Sequence, residues 1–398
     1  MKIESLDIWE WSLIGVMGAF FVAQVYWYIR YLASPMRHIR RSTKEKGQGT
    51  KDKGQGTKEE WPGVSVVLCA HNEAYNISNY LQALLTQDYP EYEVIVVDDG
   101  SEDDTRVVLD QYIANDPRLR MTFVPYGARV GSTKKLALTL AAKAAKYDYL
   151  LLTDADCVPE SKFWIREMMR GFWEKQSTKD IVLGFGAYFE EKGHVNRLVR
   201  FDTLFNGLHY LGAALCGHPY MGVGRNLAYR KEMFFESGGF TKLMTKMAGD
   251  DDLFVNHVAT KENTAVVLSC ESFTWSPAKK TLGEWLQQKR RHISVSPAYK
   301  RSTQFRLTIE PLTRGLFYAG VLGTIIGCGI GCLSPVTLYV VLGLFLVRWM
   351  MQALILDISA RRMRVKGFGM LSILWFDITL PLVNLWMLAV PKRTKIKW

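Results

Sequence analysis

The chain has 398 residues, 48% hydrophobic and 22% charged, with 50 Lys and Arg against 39 Asp and Glu for a formal net charge of +11. This composition excludes a disordered or fibrous chain, and because whole stretches carry almost no charge, the average conceals membrane segments beside a soluble one. The positive excess falls in short clusters next to the apolar segments rather than over one broad face, which argues against nucleic acid as a partner.

Residues 9–32 form an apolar run broken by little more than Gln24, long enough to cross the hydrocarbon core as a helix. Domain 1–35 is therefore expected to be an N-terminal transmembrane helix. A cleaved signal peptide is disfavoured by Glu4, Asp7 and Glu10 ahead of the run and by the lack of a small-x-small site after it. Arg37, Arg40, Arg41, Lys44 and Lys46 follow the run, so the positive-inside rule puts the next domain in the cytoplasm and the N-terminus outside. Residues 36–60, with KGQGTKD nearly repeated as KGQGTKE, read as a basic, Gly-rich flexible linker.

From residue 61 to about 300 the pattern is that of a soluble α/β domain. VSVVLCA (64–70) is a continuous buried strand, 77–87 places Ile77, Leu81, Leu84 and Leu85 on one helical stripe, and EVIVV (93–97) is a second strand. Helix 107–113, strand MTFVP, helix 134–145 and strand YLLLT continue the alternation. Repeated strand-helix-strand units predict a mostly parallel sheet with helices on both faces and ligands at the carboxyl ends of the strands.

Residues 301–398 are expected to form a membrane region with apolar segments at 317–333, 336–356 and 368–390. Gly323, Gly327 and Gly331 recur every four residues, which allows close helix approach in lipid. Four complete spans would leave the basic tail with Lys392, Arg393, Lys395 and Lys397 outside, against the positive-inside rule. One segment is therefore expected to be broken or interfacial, and the last, with Asp377, Pro381 and Asn384, is the candidate. Arg348 and Asp377 in apolar surroundings imply an ion pair or a water-lined path. The six cysteines form no CxxC pair and no zinc set with histidine, which predicts reduced thiols.

Polar residues gather at the ends of the predicted strands: Ala70-His71-Asn72-Glu73 after the first, Asp98-Asp99-Gly100-Ser101 after the second, Asp154-Ala155-Asp156 after YDYLLLT. Helix capping alone accounts for one such group, but a DxD closing a buried strand offers two carboxylates to one divalent cation, and hard oxygen ligands suit Mg2+ or Mn2+. Gly222-Val223-Gly224 lacks the third glycine of a dinucleotide fingerprint and does not follow the first strand, which argues against a Rossmann dehydrogenase.

Through VSVVLCAHNE, EVIVVDDGSEDDT, LLLTDADC, Gly-Gly-Phe at 238, GDDDL at 249 and QKRRH at 288, in that order over about 240 residues, the chain resembles the family 2 glycosyltransferases of GT-A fold. With its flanking apolar segments it looks like the membrane-bound branch that includes ceramide glucosyltransferases and polysaccharide synthases. The resemblance implies that Cys69, Ala70, His71, Asn72, Glu73 and Asp99 hold the donor nucleotide, and that Asp154 and Asp156 hold the cation on its diphosphate. Lys135 is expected to add positive charge near that diphosphate, with Lys134 beside it. The acidic run would supply the general base, Asp251 first and Asp250 second. Gln288 and Arg291 match the family's Q-x-x-R-W signature for the acceptor or diphosphate site, with His292 where Trp is usual; the alternative for the run's cations is contact with anionic lipid headgroups.

The expected activity is inverting, metal-dependent transfer from a nucleotide sugar, a UDP-sugar by resemblance, to a membrane-associated lipid or glycan hydroxyl, at the inner membrane with the catalytic domain cytoplasmic. The rivals are a processive polysaccharide synthase, against which His292 argues, and an inactive nucleotide-sugar sensor.

Overall fold

The computed structural model describes residues 6–49, 61–125, 127, 132–176, 178–244 and 249–389. The first helix, α1 (Ile8–Trp27), opens with a capping box between Asp7 and Glu10 and runs through a π-helical turn, Tyr28–Leu32, into α2 (Ala33–Gly49). The linker expected over 36–60 is thus helical as far as Gly49, because Met36 and Ile39 give this polar stretch an apolar stripe that packs on the domain core; the second copy of its repeat lies outside the described residues.

The soluble domain follows as β1 (Val64–Ala70), α3 (Ala74–Leu85), β2 (Tyr92–Asp98), α4 (Thr105–Asn115), β3 (Leu119–Phe123), α5 (Thr133–Ala144), β4 (Tyr149–Leu152), β5 (Val158–Pro159), α6 (Trp164–Arg170), β6 (Ile181–Leu183), β7 (Gly186–Tyr188), α7 (His194–Leu215), β8 (Leu227–Arg230), α8 (Lys231–Glu236), α9 (Asp252–Val258), β9 (Thr264–Val266), β10 (Thr274–Ser276) and α10 (Leu282–Ile293). Three long helices close the described chain: α11 (Arg301–Gly329), α12 (Pro335–Arg362) and α13 (Met370–Ala389).

The main sheet runs β3-β2-β1-β4-β8-β6-β9. Strands β1 to β4 are parallel and β6 pairs parallel with β9, while β8 runs antiparallel between β4 and β6, so the sheet is mostly parallel with one reversed strand. A smaller sheet, β5-β10-β7, flanks it. Side chains alternate along each strand, so Val64, Val66, Leu68, Val94 and Val96 join the core under α3 and α6, while Val67, Ile95 and Val97 join the core under α5 and α7. Helices cover both faces, and the polar loops are left at the strand ends.

Among the described residues, four helices are long and apolar enough to cross a membrane: Ile8–Ser42, Arg301–Gly329, Pro335–Arg362 and Met370–Met387. At the end remote from the domain, Glu10 accepts hydrogen bonds from the Ser334 N–H at 2.7 Å and the Thr337 hydroxyl at 3.0 Å. The close approach that Gly323, Gly327 and Gly331 allow is not used at Gly323 or Gly331, where a Cβ would have no neighbour within 4 Å, and at Gly327 the nearest atoms are those of Leu333 just beyond its own helix. It occurs at Gly320 instead, where a Cβ would come within 2.3 Å of the Met17 sulfur on α1.

Nearer the domain the bundle holds a buried polar cluster. Arg348 and Arg314 both donate to Asp377, at 3.1 and 2.8 Å, and Gln352 and the Tyr318 hydroxyl donate to the same carboxylate. Arg348 also donates to the Tyr28 hydroxyl and to Gln24. Asp377 thus bridges both guanidiniums, with Glu310 as a second carboxylate on Arg314 at 3.2 Å, and ties α11, α12 and α13 to the end of α1, which makes the expected Arg348–Asp377 pair a direct one. Helix α13 is continuous through Pro381. It touches the soluble domain along its length, with Phe376 4.9 Å from Phe201 of α7 and the Trp386 ring 5.1 Å from the Arg290 guanidinium of α10.

Candidate active site

The β1–β2 register pairs Ala70 with Asp98, so the two polar loops leave the sheet side by side. They are bonded into one rim. Asn72, at a φ of 59°, donates its N–H to the Ser101 hydroxyl at 3.0 Å and accepts from the Glu102 N–H at 2.8 Å. The Glu73 N–H donates to the Thr105 hydroxyl, and the His71 ring meets the Asp99 carbonyl oxygen at 2.8 Å. Asp98 is buried and accepts from the Ser101 N–H, so it shapes the turn. Asp99 is left at the rim, its carboxyl pushed up by burial and pulled back by a hydrogen bond with Thr133.

Strand β4 brings Asp154 and Asp156 to the same edge, where their oxygens and the Cys157 sulfur lie within 4.8 Å of one another. Burial, and then Asp154, raise the Asp156 carboxyl, while burial keeps the Cys157 thiol protonated. The residues that fit a divalent cation here are therefore the two hard carboxylates, whose mutual repulsion a cation would relieve.

A side-chain ammonium already occupies part of that role. Lys134 Nζ lies 3.1 Å from Asp154 and 3.3 Å from Asp250, bridging the DxD to the acidic run. Burial opposes its charge, but Asp154, Asp250 and Asp251 together outweigh that and keep it protonated. Sequence analysis favoured Lys135; the Ser132 cap starts α5 so that Lys134 faces the cleft, while Lys135 is fully buried, its ammonium destabilised by burial and supported by Asp250 and Asp251.

Asp250 and Asp251 are adjacent but differently employed. Asp251 caps α9: one oxygen accepts from the Asp252 N–H at 2.8 Å and the other from the Gly224 N–H at 2.6 Å. Burial, then Asp252 and Asp250, push its carboxyl up to about 7. Asp250 faces Lys134 across the cleft, and although burial works against its charge, Lys134 and Lys135 hold it ionised. The two expected base candidates therefore differ in state: Asp250 is the ionised carboxylate facing Lys134, and Asp251 is the raised one that caps α9.

The QKRRH run lies on α10. Gln288 donates to the Tyr188 hydroxyl at 3.0 Å, and the Arg225 guanidinium sits 4.2 Å from the Tyr188 ring centre, close enough to Asp156 to lower its carboxyl. Lys289 donates to Asp202 of α7 at 2.5 Å and Arg290 covers Trp386, so these two cations serve packing. His292 is exposed, 4.0 Å from Asp252, on the same helix as Arg291. Gln288 thus reaches the carboxylates through Tyr188 and Arg225, which sequence reasoning did not single out; the signal for Arg225 was a charged residue between a glycine and a strand start in MGVGRNLAYR.

The glycosyl transferase family 2 profile matches residues 65–238, which contain both polar rim loops, the DxD and Arg225. The chain is 32% identical over 96 residues to a poly-beta-1,6-N-acetyl-D-glucosamine synthase of Staphylococcus epidermidis, covering 24% of this chain and 22% of the relative. It is 24% identical to a probable glycosyltransferase, YdaM, of Bacillus subtilis, over 58% of this chain and 54% of the relative, and 24% identical to an Escherichia coli chondroitin synthase, over 48% and 31%. The chain therefore spans from about a fifth to just over half of the length of these relatives. A mannosyltransferase of Pyrobaculum calidifontis solved with GDP-Man and Mn2+ aligns over 94% of this chain and 95% of its own, with 17% identity and a TM-score of 0.47. The mostly parallel sheet with its carboxylates at the strand ends is GT-A-like, and the chain carries a glycosyl transferase family 2 domain.

Proposed function

We propose that the chain is an inverting glycosyltransferase of the cytoplasmic membrane face, moving a sugar from a nucleotide-sugar donor to a hydroxyl on a membrane-associated lipid or lipid-linked glycan. The observation that carries this reading is the single cleft in which the DxD, Lys134 and Asp250 meet. The donor nucleotide lies along the Cys69 to Glu73 and Asp99 rim, and Asp154 and Asp156 hold Mn2+ or Mg2+. When bound, that cation supplies positive charge to the diphosphate leaving group.

Lys134 adds a second positive charge at the same place, so charge developing on the leaving phosphate is met by a donor already positioned. Asp250 takes the acceptor hydroxyl proton as that oxygen attacks the sugar carbon from the face opposite the leaving group. Asp251 holds the α9 end and Gly224 still, which fixes Asp250 beside it. Gln288, Tyr188 and Arg225 line the approach from the membrane side. The membrane placement of the acceptor is supported by the apolar helices on either side of the domain in sequence and by α13, which keeps contact with the domain from Phe376 to Trp386. Read as an interfacial helix, α13 leaves α1, α11 and α12 as the spans and returns the basic tail to the cytoplasmic side.

The test is release of nucleoside diphosphate from a panel of nucleotide sugars by full-length protein in native lipid extract with Mn2+ or Mg2+. Release should require lipid and cation and fall at least a hundredfold in Asp250→Asn, the lower end of a general base's contribution. Asp250→Asn turning over at the wild-type rate would overturn the assignment. Addition of many sugars per acceptor would replace single transfer by polymerisation, and donor binding without release in lipid would leave a sensor.

A further inference from the structure

A second cleft opens at the level where α1 leaves the apolar bundle. Trp27 and Tyr31 from the end of α1 and its π-turn, His209 from α7, His218 and Tyr220 from the following loop, and Arg306 from α11 line it. Its surroundings are cationic: Arg30, Arg306 and Lys261 all act on His218, and among the described residues neither Arg30 nor Arg306 has a carboxylate partner. Burial first, then Arg306 and Arg30, keep the His218 imidazole uncharged.

Inside the cleft a buried donor has no acceptor. The Trp27 indole N–H donates to His209 Nδ1 at 3.4 Å, which leaves the proton of the neutral ring on Nε2, and Nε2 is buried without a hydrogen-bond partner. A buried donor left unmade costs about 1–3 kcal/mol. π-turns occur frequently at functional sites, and this one packs so closely on α7 that a Cβ at Gly212 would meet the Tyr31 carbonyl oxygen at 2.1 Å. Around the cleft the helices expose Tyr26, Ile29 and Phe305, an apolar rim.

We infer that this cleft binds the phosphate headgroup of a membrane lipid, with Arg306 and His218 on the phosphate oxygens and the apolar chain leaving past Tyr31 and Leu307. The Arg306 guanidinium and the imidazole donors in the lining, with Arg30 nearby and no acid among the lining residues, select an anion, and the aromatic and apolar rim selects one carried on a chain. The site is distinct from the carboxylate cleft but tied to it. Asn256 of α9 donates to the Tyr220 carbonyl oxygen at 3.0 Å and to the Thr303 hydroxyl at 3.3 Å, so the helix that begins at the catalytic run is bonded to two walls of the lipid cleft. The inference rests on the membrane placement above and not on the transfer chemistry.

The test uses full-length protein in detergent, dihexanoyl phosphatidic acid, dihexanoylglycerol and inorganic phosphate, with retained ligand read by native mass spectrometry. Wild type should retain phosphatidic acid and not dihexanoylglycerol, and inorganic phosphate at equal concentration should not displace it. Arg306→Gln should weaken retention about tenfold or more, the loss of one charge-assisted hydrogen bond, while Arg306→Lys restores most of it; unchanged thermal unfolding in both variants establishes that they are folded. Equal retention by Arg306→Gln, equal binding of dihexanoylglycerol, or displacement by inorganic phosphate at equal concentration would each overturn the lipid-phosphate assignment. Retained lipid with no nucleoside diphosphate release would keep this inference and sink the transfer reading instead.

Discussion

Replacing Lys134 by Met removes the ammonium from between Asp154 and Asp250 while keeping the aliphatic stem. At 3.1 and 3.3 Å each ion pair is worth about 5 kcal/mol of Coulomb attraction at an effective dielectric of about 20. Desolvation of the three groups offsets most of that, and the third of Asp154 that remains exposed screens it further. What the variant leaves is uncompensated carboxylates at one cleft, a loss of about 3 kcal/mol, or roughly 6–12 °C in the unfolding temperature of a domain this size. A divalent cation at a hundredfold excess over its Kd returns about 2.7 kcal/mol. Lys134→Met should therefore regain most of its stability with Mn2+, and wild type should gain less because its ammonium competes for Asp154. Scanning calorimetry or nanoscale fluorimetry with and without Mn2+ measures both. An unfolding temperature within a degree of wild type without cation would refute the electrostatic argument, and a loss that Mn2+ does not relieve would refute the cation site.

Three further outcomes are expected. Asn226, fully buried, accepts from the Trp164 indole N–H and donates to the Phe185 and Ser272 carbonyl oxygens; Asn226→Ala should cost about 4 kcal/mol, seen as a fall of roughly 10 °C in thermal unfolding. Burial first, and then Arg314, push the His209 imidazole down to about 3, so its contribution is present above the ordinary value near 6.5 and is lost as pH falls toward 3. About 2 kcal/mol should go between pH 6.5 and 5, and His209→Phe should flatten that part of the unfolding-temperature profile. A cysteine introduced near the C-terminus should react with an impermeant maleimide only from the cytoplasmic side, as α13 lying along the domain requires; labelling from the opposite side would make α13 a full span.

The strands and the polar loops were legible because their signals are local. VSVVLCA and EVIVV are apolar at every position, which only a sheet covered on both faces accommodates, and the carboxylates stand where such strands end. Three things were not local. The choice between Lys134 and Lys135 depends on the rotation of α5, set by the Ser132 cap. The choice between Asp250 and Asp251 depends on which one the Gly224 N–H reaches, a contact across 27 residues. The close approach at Gly320 rather than at the four-residue glycine series depends on where Met17 falls when Glu10 fixes the far end of α1.

The positions of Gln288 and its neighbours give the membrane helices more than an anchoring role. One turn of α10 sends Gln288 to Tyr188 and the Arg225–Asp156 side of the cleft, Lys289 to Asp202 of α7, and Arg290 to Trp386 of α13. Helix α13 is in turn held by Asp377 to Arg314 and Arg348. A displacement of α13 therefore reaches the Tyr188–Arg225 side of the cleft through one helix turn, without passing through the sheet. Such a chain of contacts transmits only if its members move together. Asp377→Asn leaves Arg348 with neutral partners and Arg314 with Glu310 alone, so it should loosen α13 and lower turnover while nucleotide binding at the opposite rim stays at wild-type strength. Loss of nucleotide binding in parallel with turnover would mean general unfolding, and the coupling through α10 would have no support.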